Sequence, residues 1–303
     1  MHEALLYEKL ENPPAGEAGK NVRCNLCNHR CLISDNHRGI CGVRENRNGI
    51  LYSLVYGKII AEHIDPIEKK PLYHFLPNTF SLSIATVGCN FKCLHCQNAD
   101  ISQFTKRKSA NEESAAIIGE ETSPQEIIQD AIKNKCPSIS YTYTEPTVFL
   151  EFALDCMKLA KDKKLKNVWV SNGYMTKEAL DLVGPYLDAI NVDLKAFTED
   201  FYRDVCGARL QPVLDNLIDI KKCGIHLEIT TLIIPGKNDS EYELKSIAGF
   251  IKKELGSDTP WHVSRFFPHY RMPDVPSTPI EKVYRAAEIG KEAGLKFVHM
   301  GNV

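Results

Sequence analysis

The chain has 303 residues, room for two domains of roughly 150 residues or for one α/β barrel with an appendage. Its 37 Lys and Arg against 39 Asp and Glu leave a formal charge of −2, which excludes the basic footprint of a protein that holds nucleic acid through its phosphates. With 43% apolar and 25% charged residues, the composition also excludes wholesale disorder and a disulfide miniprotein.

The opening stretch, MHEALLYEKLENPPAGEAGK, lacks the basic start and apolar run of an export signal, and no later run is apolar for the length of a membrane span. A cytoplasmic protein that avoids membranes is expected, its cysteines reduced and available as ligands or catalytic thiols. Residues 1–75 carry Cys24, Cys27, Cys31 and Cys41, Asn and Gly turn signals and the short alternating run Ile50–Tyr56, the texture of a small N-terminal metal-stapled module. The four thiols have the ligand count for one metal group. Zinc in a closed tetrahedral site and an auxiliary iron–sulfur cluster both satisfy the spacing.

From Phe80 onward, short β-branched runs alternate with helical segments, as in repeated βα units around a parallel sheet. Strands are expected near Ser81–Val87, Ser138–Thr142, Asn167–Ser171, Ala189–Leu194, His226–Ile233 and Trp261–Phe266, with a possible seventh at Lys296–Met300. Ser123-Pro124-Gln125-Glu126 reads as a capping box with Pro at the first helical position, and Ser240–Glu243 and Thr278-Pro279 repeat parts of that chemistry. The charged stretch Thr105–Glu121 reads as a solvated loop, with a lid as the alternative. Cys136, Cys156 and Cys223 read as small buried hydrophobes in or beside helices; Cys206 fits no pattern.

The run Gly88–Cys96 follows the first of these strands directly, setting Cys89, Cys93 and Cys96 on a loop at the carboxyl end of a sheet, where parallel α/β folds place chemistry. Three thiolates hold three irons of a cubane and leave the fourth open to an exogenous ligand. A three-Cys zinc site recruits a fourth ligand, and His95 lies between the cysteines rather than beyond them.

Cys89-x-x-x-Cys93-x-x-Cys96 resembles the signature of the radical S-adenosylmethionine (SAM) enzymes. That resemblance implies a 4Fe-4S cluster on the three cysteines and SAM as cosubstrate, cleaved reductively to methionine and a 5′-deoxyadenosyl radical. Thr142–Pro146 stands where the family carries a Gly-Gly-Glu-Pro-like element gripping the SAM amino group; Tyr143 and Thr144 replace the glycines and Glu145 keeps the acid. The plainer reading of Glu145 is a solvated acid in the first turn of a helix. Asn98, Asn172 and Asp193 complete the expected SAM contacts. Asp193 and Lys195 alternate with Leu194, so both point to one side of a strand, toward substrate or toward each other as an ion pair. Lys195, His262 and Arg265 are the candidate catalytic residues, the last two equally readable as structural.

Further blocks, Cys24–Cys31, Gly39–Asn46, Asp65–Leu72, Cys96-Gln97-Asn98 and Gly301-Asn302-Val303, look like the AmmeMemoRadiSam-system radical SAM enzymes, which are similar to pyruvate formate-lyase activating enzyme. This likeness implies an α/β fold, a partial (β/α)6 radical SAM barrel over 76–303. It also implies a flavodoxin or ferredoxin as low-potential reductant and Memo-like and AMMECR-like companions; such relatives carry a further cysteine-bearing tail after the Gly-Asn-Val, which leaves truncation and a short variant both open here. Hydrogen abstraction from a glycyl-radical-type or other partner protein is the expected activity. A small-molecule substrate, and a non-catalytic zinc-stapled scaffold, are the alternatives.

Overall fold

The computed structural model describes residues 1–10, 20–106 and 116–303. Its centre is an eight-stranded sheet whose strands lie in chain order: β1 (Ala61–Pro66), β2 (Phe80–Ala85), β3 (Ser138–Tyr141), β4 (Lys166–Ser171), β5 (Ala189–Asp193), β6 (His226–Ile233), β7 (Trp261–Arg265) and β8 (Val298–Gly301). β1 runs antiparallel to β2, and every later pair is parallel. The seven strands expected from sequence are β2 to β8, their ends shifted slightly. β3 and β4 are buried along nearly their whole length, because helices cover a parallel sheet on the side away from its interior.

β1 had no counterpart in the sequence reading. It belongs to residues assigned there to the N-terminal module, yet hydrogen-bonds to the first parallel strand, and its mostly exposed sequence Ala-Glu-His-Ile-Asp-Pro gives no apolar signal. β1 and β8 are the two edges of the sheet; among the described residues no strand joins them.

Among the described residues, six helices of seven residues or more connect the strands: α1 (Pro124–Lys133), α2 (Leu150–Asp162), α3 (Lys177–Val183), α4 (Gln211–Lys222), α5 (Glu241–Phe250) and α6 (Ile280–Glu292). Ser123 and Glu126 form the expected capping box, and Ser240 caps α5 by accepting from the Glu243 N–H. Thr278 does not cap α6. Its hydroxyl instead donates to the Ile233 carbonyl at 2.5 Å and accepts from the Phe266 N–H at 3.0 Å, fastening the chain to two strand ends.

The N-terminal residues form two small antiparallel sheets of three strands, and Val22, Leu26, Ile33, Val43 and Leu51 share one continuous core with the residues of the large sheet. Of the stretch expected to be a solvated loop or lid, residues 107–115 lie outside the described residues. Its ends are anchored: Thr105 is buried and donates to the Cys41 carbonyl at 3.2 Å, and Glu120–Glu121 pairs with Lys58–Ile59.

Candidate active site

A cavity of about 590 Å³ opens at the carboxyl ends of the parallel strands. Cys89, Cys93, Cys96, Asn98, Tyr143, Thr144, Glu145, Asn172, Asp193, Lys195 and His262 all line it. Arg265 does not. Its Nε donates to the Thr278 carbonyl at 2.7 Å and its guanidinium lies over the Phe267 ring, because along β7 it falls on the opposite pleat from His262 and Ser264. A larger depression of about 910 Å³ beside β1 is walled by Glu62, Glu120, Glu121, Glu126 and Asp130 and holds no thiol; the chemistry-bearing residues converge elsewhere.

The cysteine loop begins at Gly88, where φ is +100° and a Cβ would meet Val43 Cγ1 at 2.6 Å, so only glycine fits. The loop is pinned from beneath. Lys92 and Leu94 donate their N–H groups to the carbonyls of Cys206 and Val205, at 2.8 and 3.0 Å, in the π-helical turn Tyr202–Cys206. Lys106 Nζ and Gln103 Nε2 both donate to the Phe91 carbonyl, at 2.6 and 3.1 Å. Cys89 Sγ accepts from the Phe91 N–H at 3.4 Å, and Cys96 Sγ lies 3.1 Å from the Ser102 hydroxyl. Burial pushes the Cys89 and Cys96 thiols up, and contact with Cys206 and then burial do the same to Cys93. Thiolates here therefore need a cationic partner, as a metal provides.

Among the described residues, no three Cys, His, Asp or Glu side chains gather as closely as one bound ion requires. Around a single tetrahedral zinc, ligand sulfurs stand roughly 3.8 Å apart given bonds of about 2.3 Å, whereas a cubane spreads its protein sulfurs over separate irons. Three thiols facing one cavity fit a cluster that takes one protein sulfur on each of three irons. His95 is buried beside the thiols, its Nδ1 has no hydrogen-bond partner, and burial with the nearby Lys195 charge lowers its pKa to about 3.

Glu145 is 1% exposed, so it is not a solvated acid. One carboxylate oxygen accepts from the Thr147 N–H, the Thr147 hydroxyl at 2.5 Å and the Ser171 hydroxyl at 2.8 Å; the other accepts from the Asn172 N–H at 2.8 Å. Its acceptor sites are thus largely taken by the chain itself, and it acts on the cavity by shaping the Ser171–Asn172 turn. Asn172 Nδ2 in turn donates to Asn90 Oδ1 at 2.7 Å, beside Cys89. Tyr143 adopts the left-handed φ of +62° that glycine would take freely. Its carbonyl accepts from Asn98 Nδ2 at 2.7 Å, its hydroxyl donates to Asp65, and Lys70 Nζ lies 4.5 Å from its ring centre.

Asp193 and Lys195 do face one side, and they pair at 2.8 Å. Deeper in the cavity, His262 Nε2 lies 2.7 Å from Glu228. Glu228 escaped the sequence reading altogether. Fully buried, it also accepts from His226 Nε2 at 2.9 Å and from the backbone N–H groups of Tyr73 and His74 at 3.1 and 2.8 Å. These bonds outweigh its burial and hold its pKa down to about 2. His74 Nε2 meets His299 Nε2 at 2.8 Å, so the segment after β1 bridges to β8. The one signal in sequence was His226-Leu227-Glu228, an acid and a histidine on the same pleat.

Cys24, Cys27, Cys31 and Cys41 face one another: beyond burial, the Cys27 thiol is pushed up by each of the other three. Arg44 Nη1 donates to Cys24 Sγ at 3.3 Å, and the same buried guanidinium pairs with Glu151 on α2. Cys136 and Cys156 are buried, as expected of inert thiols, but Cys223 caps α4 in solvent, where no core reaches it. Cys206 is wholly buried against the cysteine loop.

A model of the Radical SAM superfamily matches residues 83–245. An uncharacterized protein of Methanocaldococcus jannaschii is 47% identical over 303 residues, covering 100% of this chain and 86% of that protein. A putative glycyl-radical enzyme activating enzyme of the same organism is 27% identical over 212 residues, 69% of this chain and 76% of that one. The crystal structure of a radical SAM methyltransferase from Sphaerobacter thermophilus aligns with a TM-score of 0.56 at 12% identity, over 76% of this chain and 68% of its own, a likeness of fold.

Proposed function

This chain belongs to the Radical SAM superfamily, and from that membership we propose that it cleaves SAM reductively and abstracts hydrogen from a substrate with the radical produced. The family implies a 4Fe-4S cluster and SAM; the bound cluster supplies the electron that breaks the sulfonium carbon–sulfur bond. In this reading Cys89, Cys93 and Cys96 hold the cluster. Asn98, Tyr143, Thr144, Asn172 and Asp193 border SAM, with Glu145 fixing the turn that carries Asn172. Lys195 and His262 lie on the substrate side, and Cys24, Cys27, Cys31 and Cys41 hold a second metal group.

The observation that carries this reading is the convergence of three thiols on a pinned loop with the Glu145-ordered turn around one cavity. Anaerobically iron-loaded protein with SAM and dithionite should form 5′-deoxyadenosine, and the Cys89/Cys93/Cys96 triple alanine variant should form none. Equal product from both would sink the reading.

A partner protein is the favoured substrate, on the strength of likeness to a putative activating enzyme and of the sequence blocks that resemble AmmeMemoRadiSam-system enzymes, which are similar to pyruvate formate-lyase activating enzyme. Those blocks also support Memo-like and AMMECR-like companions and a flavodoxin or ferredoxin as reductant. No described helix is long and apolar enough to cross a membrane, and action in the cytoplasm is part of the proposal. A small-molecule substrate is favoured by one feature, the segment Tyr73–His74 that walls the inner cavity through Glu228 and His299. EPR with each substrate class tests the two: a glycyl-radical-type protein substrate leaves a persistent backbone radical, and a small-molecule substrate leaves none.

A further inference from the structure

We propose that the contact between His74 and His299 is a proton-operated latch: it holds the segment between β1 and β2, residues 67–79, against the edge strand β8, and charging both rings opens the inner wall of the cavity. The inference concerns that wall alone and is independent of the reaction proposed above.

The first half of the segment is fastened by burial. Ile67 and Leu72 pack on Val168 and Ala189, all four fully buried, and Asn191 Nδ2 donates to the Pro71 carbonyl at 2.8 Å. Glu228 then takes the backbone N–H groups of Tyr73 and His74. From there, contact with β8 comes down to side chains. His74 Nε2 stands 2.8 Å from His299 Nε2, and the Tyr73 ring lies 4.8 Å from both the His262 and the His299 ring centres. Among the described residues, no other hydrogen bond joins the segment to β8, and no strand pairs with the outer side of β8.

A bond between two imidazole nitrogens needs one hydrogen: one ring donates and the other accepts with its lone pair. A neutral pair meets that condition, and so does a pair with one extra proton. When both rings are charged, two N–H groups face each other with no acceptor and like charges repel. The groups around the pair decide where this happens. His262 on β7 stacks on His299 with ring centres 5.0 Å apart, and Glu228 on β6, bonded to His226 and His262, lies behind it. The Tyr73 and Phe297 rings complete the surroundings. Burial first, then the His262 and His74 charges, lower the His299 pKa from the ordinary 6.5, with Glu228 opposing. For a histidine whose pKa is lowered by folding, the stabilising bond is complete above 6.5 and is lost as pH falls below it.

Glu228, with its pKa held at about 2, keeps the Tyr73 and His74 backbone in place over that range. What separates is β8 from the returning half of the segment, residues 75–79. Tyr73 and His262 line the cavity on one side of this seam, and Gly301 and Asn302 on the other, so the separation widens the cavity toward the sheet edge.

The test is amide hydrogen exchange of the anaerobic, metal-loaded protein, read by mass spectrometry at about pH 7.5 and about pH 5.5 and corrected for the intrinsic rate. In wild type, peptides covering 75–79 and 298–301 should exchange about tenfold faster at the lower pH. In His74→Gln, whose amide donates to a neutral His299 and accepts from a charged one, the two rates should agree within about twofold. In His74→Ala, exchange should be fast at both values. His74 is exposed, so neither substitution disturbs the core. Independently of the variants, 15N-histidine NMR of the wild type should show His299 gaining its proton only below 6.5. Equal wild-type exchange at the two pH values overturns the proposal. So does an unchanged pH response in His74→Gln, which would place the response on His226 and His262 instead.

Discussion

The two ends of the cavity are built in opposite ways. At the outer end, chemistry comes from a single loop, Gly88–Cys96, whose Cys89 and Cys96 sulfurs meet Phe91 and Ser102 close by in sequence while its backbone is pinned to Val205 and Cys206. At the inner end, Glu228 gathers four donors from three segments, one of them its own strand, with partners up to 155 residues away, and His74 reaches His299 across 225 residues. The outer end can change its chemistry without disturbing the fold; the inner end carries little chemistry of its own and fixes the wall between the sheet edges.

The sharpest way to break this comparison is to remove one group from each end. Cys93→Ala should abolish 5′-deoxyadenosine formation while leaving thermal stability almost untouched, because a small thiol leaves little void. Glu228→Ala should do the reverse in kind, costing about 3–5 kcal/mol by stranding buried donors, measured by denaturant unfolding. If Glu228→Ala unfolds at the wild-type midpoint, the inner end is not structural.

The pH dependence of Glu228→Gln sharpens the same contrast. Its carboxyl pKa is held at about 2, below the ordinary carboxylate value of 4.5, so its contribution is complete above pH 4.5 and is lost as pH falls toward 2. That shift corresponds to roughly 3 kcal/mol at neutral pH. The stability gap between wild type and Glu228→Gln should therefore narrow steadily from pH 4.5 downward; a constant gap would mean that the carboxylate charge contributes nothing.

These differences explain what was legible in the sequence. Cys89, Cys93 and Cys96 were visible because their spacing is local and follows a strand directly, and the Asp193–Lys195 pair because strand pleating is a two-residue rule. Arg265 misled for the same reason in reverse, its parity on β7 placing it away from His262. Glu228 was hidden because its donors, Tyr73, His74, His226 and His262, meet only in the folded sheet. β1 was hidden because an edge strand has little apolar surface to announce it.

Glu145 lies between the two styles, a motif residue whose bonds are structural. Glu145→Ala should weaken SAM binding by about tenfold with the cluster's visible absorbance unchanged, because the Ser171–Asn172 turn loses both of its anchors. Unchanged SAM affinity would remove that turn from the SAM site.

The smallest expected effect is at Tyr143, where two terms oppose each other. The left-handed φ of +62° costs a tyrosine about 1–2 kcal/mol that glycine escapes. Against this, the hydroxyl bond to Asp65 contributes about 1 kcal/mol, and the Lys70 ammonium over the ring contributes about another. Tyr143→Phe, which loses only the hydroxyl, should therefore cost about 1 kcal/mol. Tyr143→Gly should fall within about 1 kcal/mol of wild type, since relief of strain offsets both losses. SAM affinity should survive the glycine, because the Asn98 contact at 2.7 Å is made to the Tyr143 backbone carbonyl. A glycine variant that keeps stability but loses SAM binding would show that the ring, with Lys70 and Asp65 behind it, itself contributes to the grip on SAM.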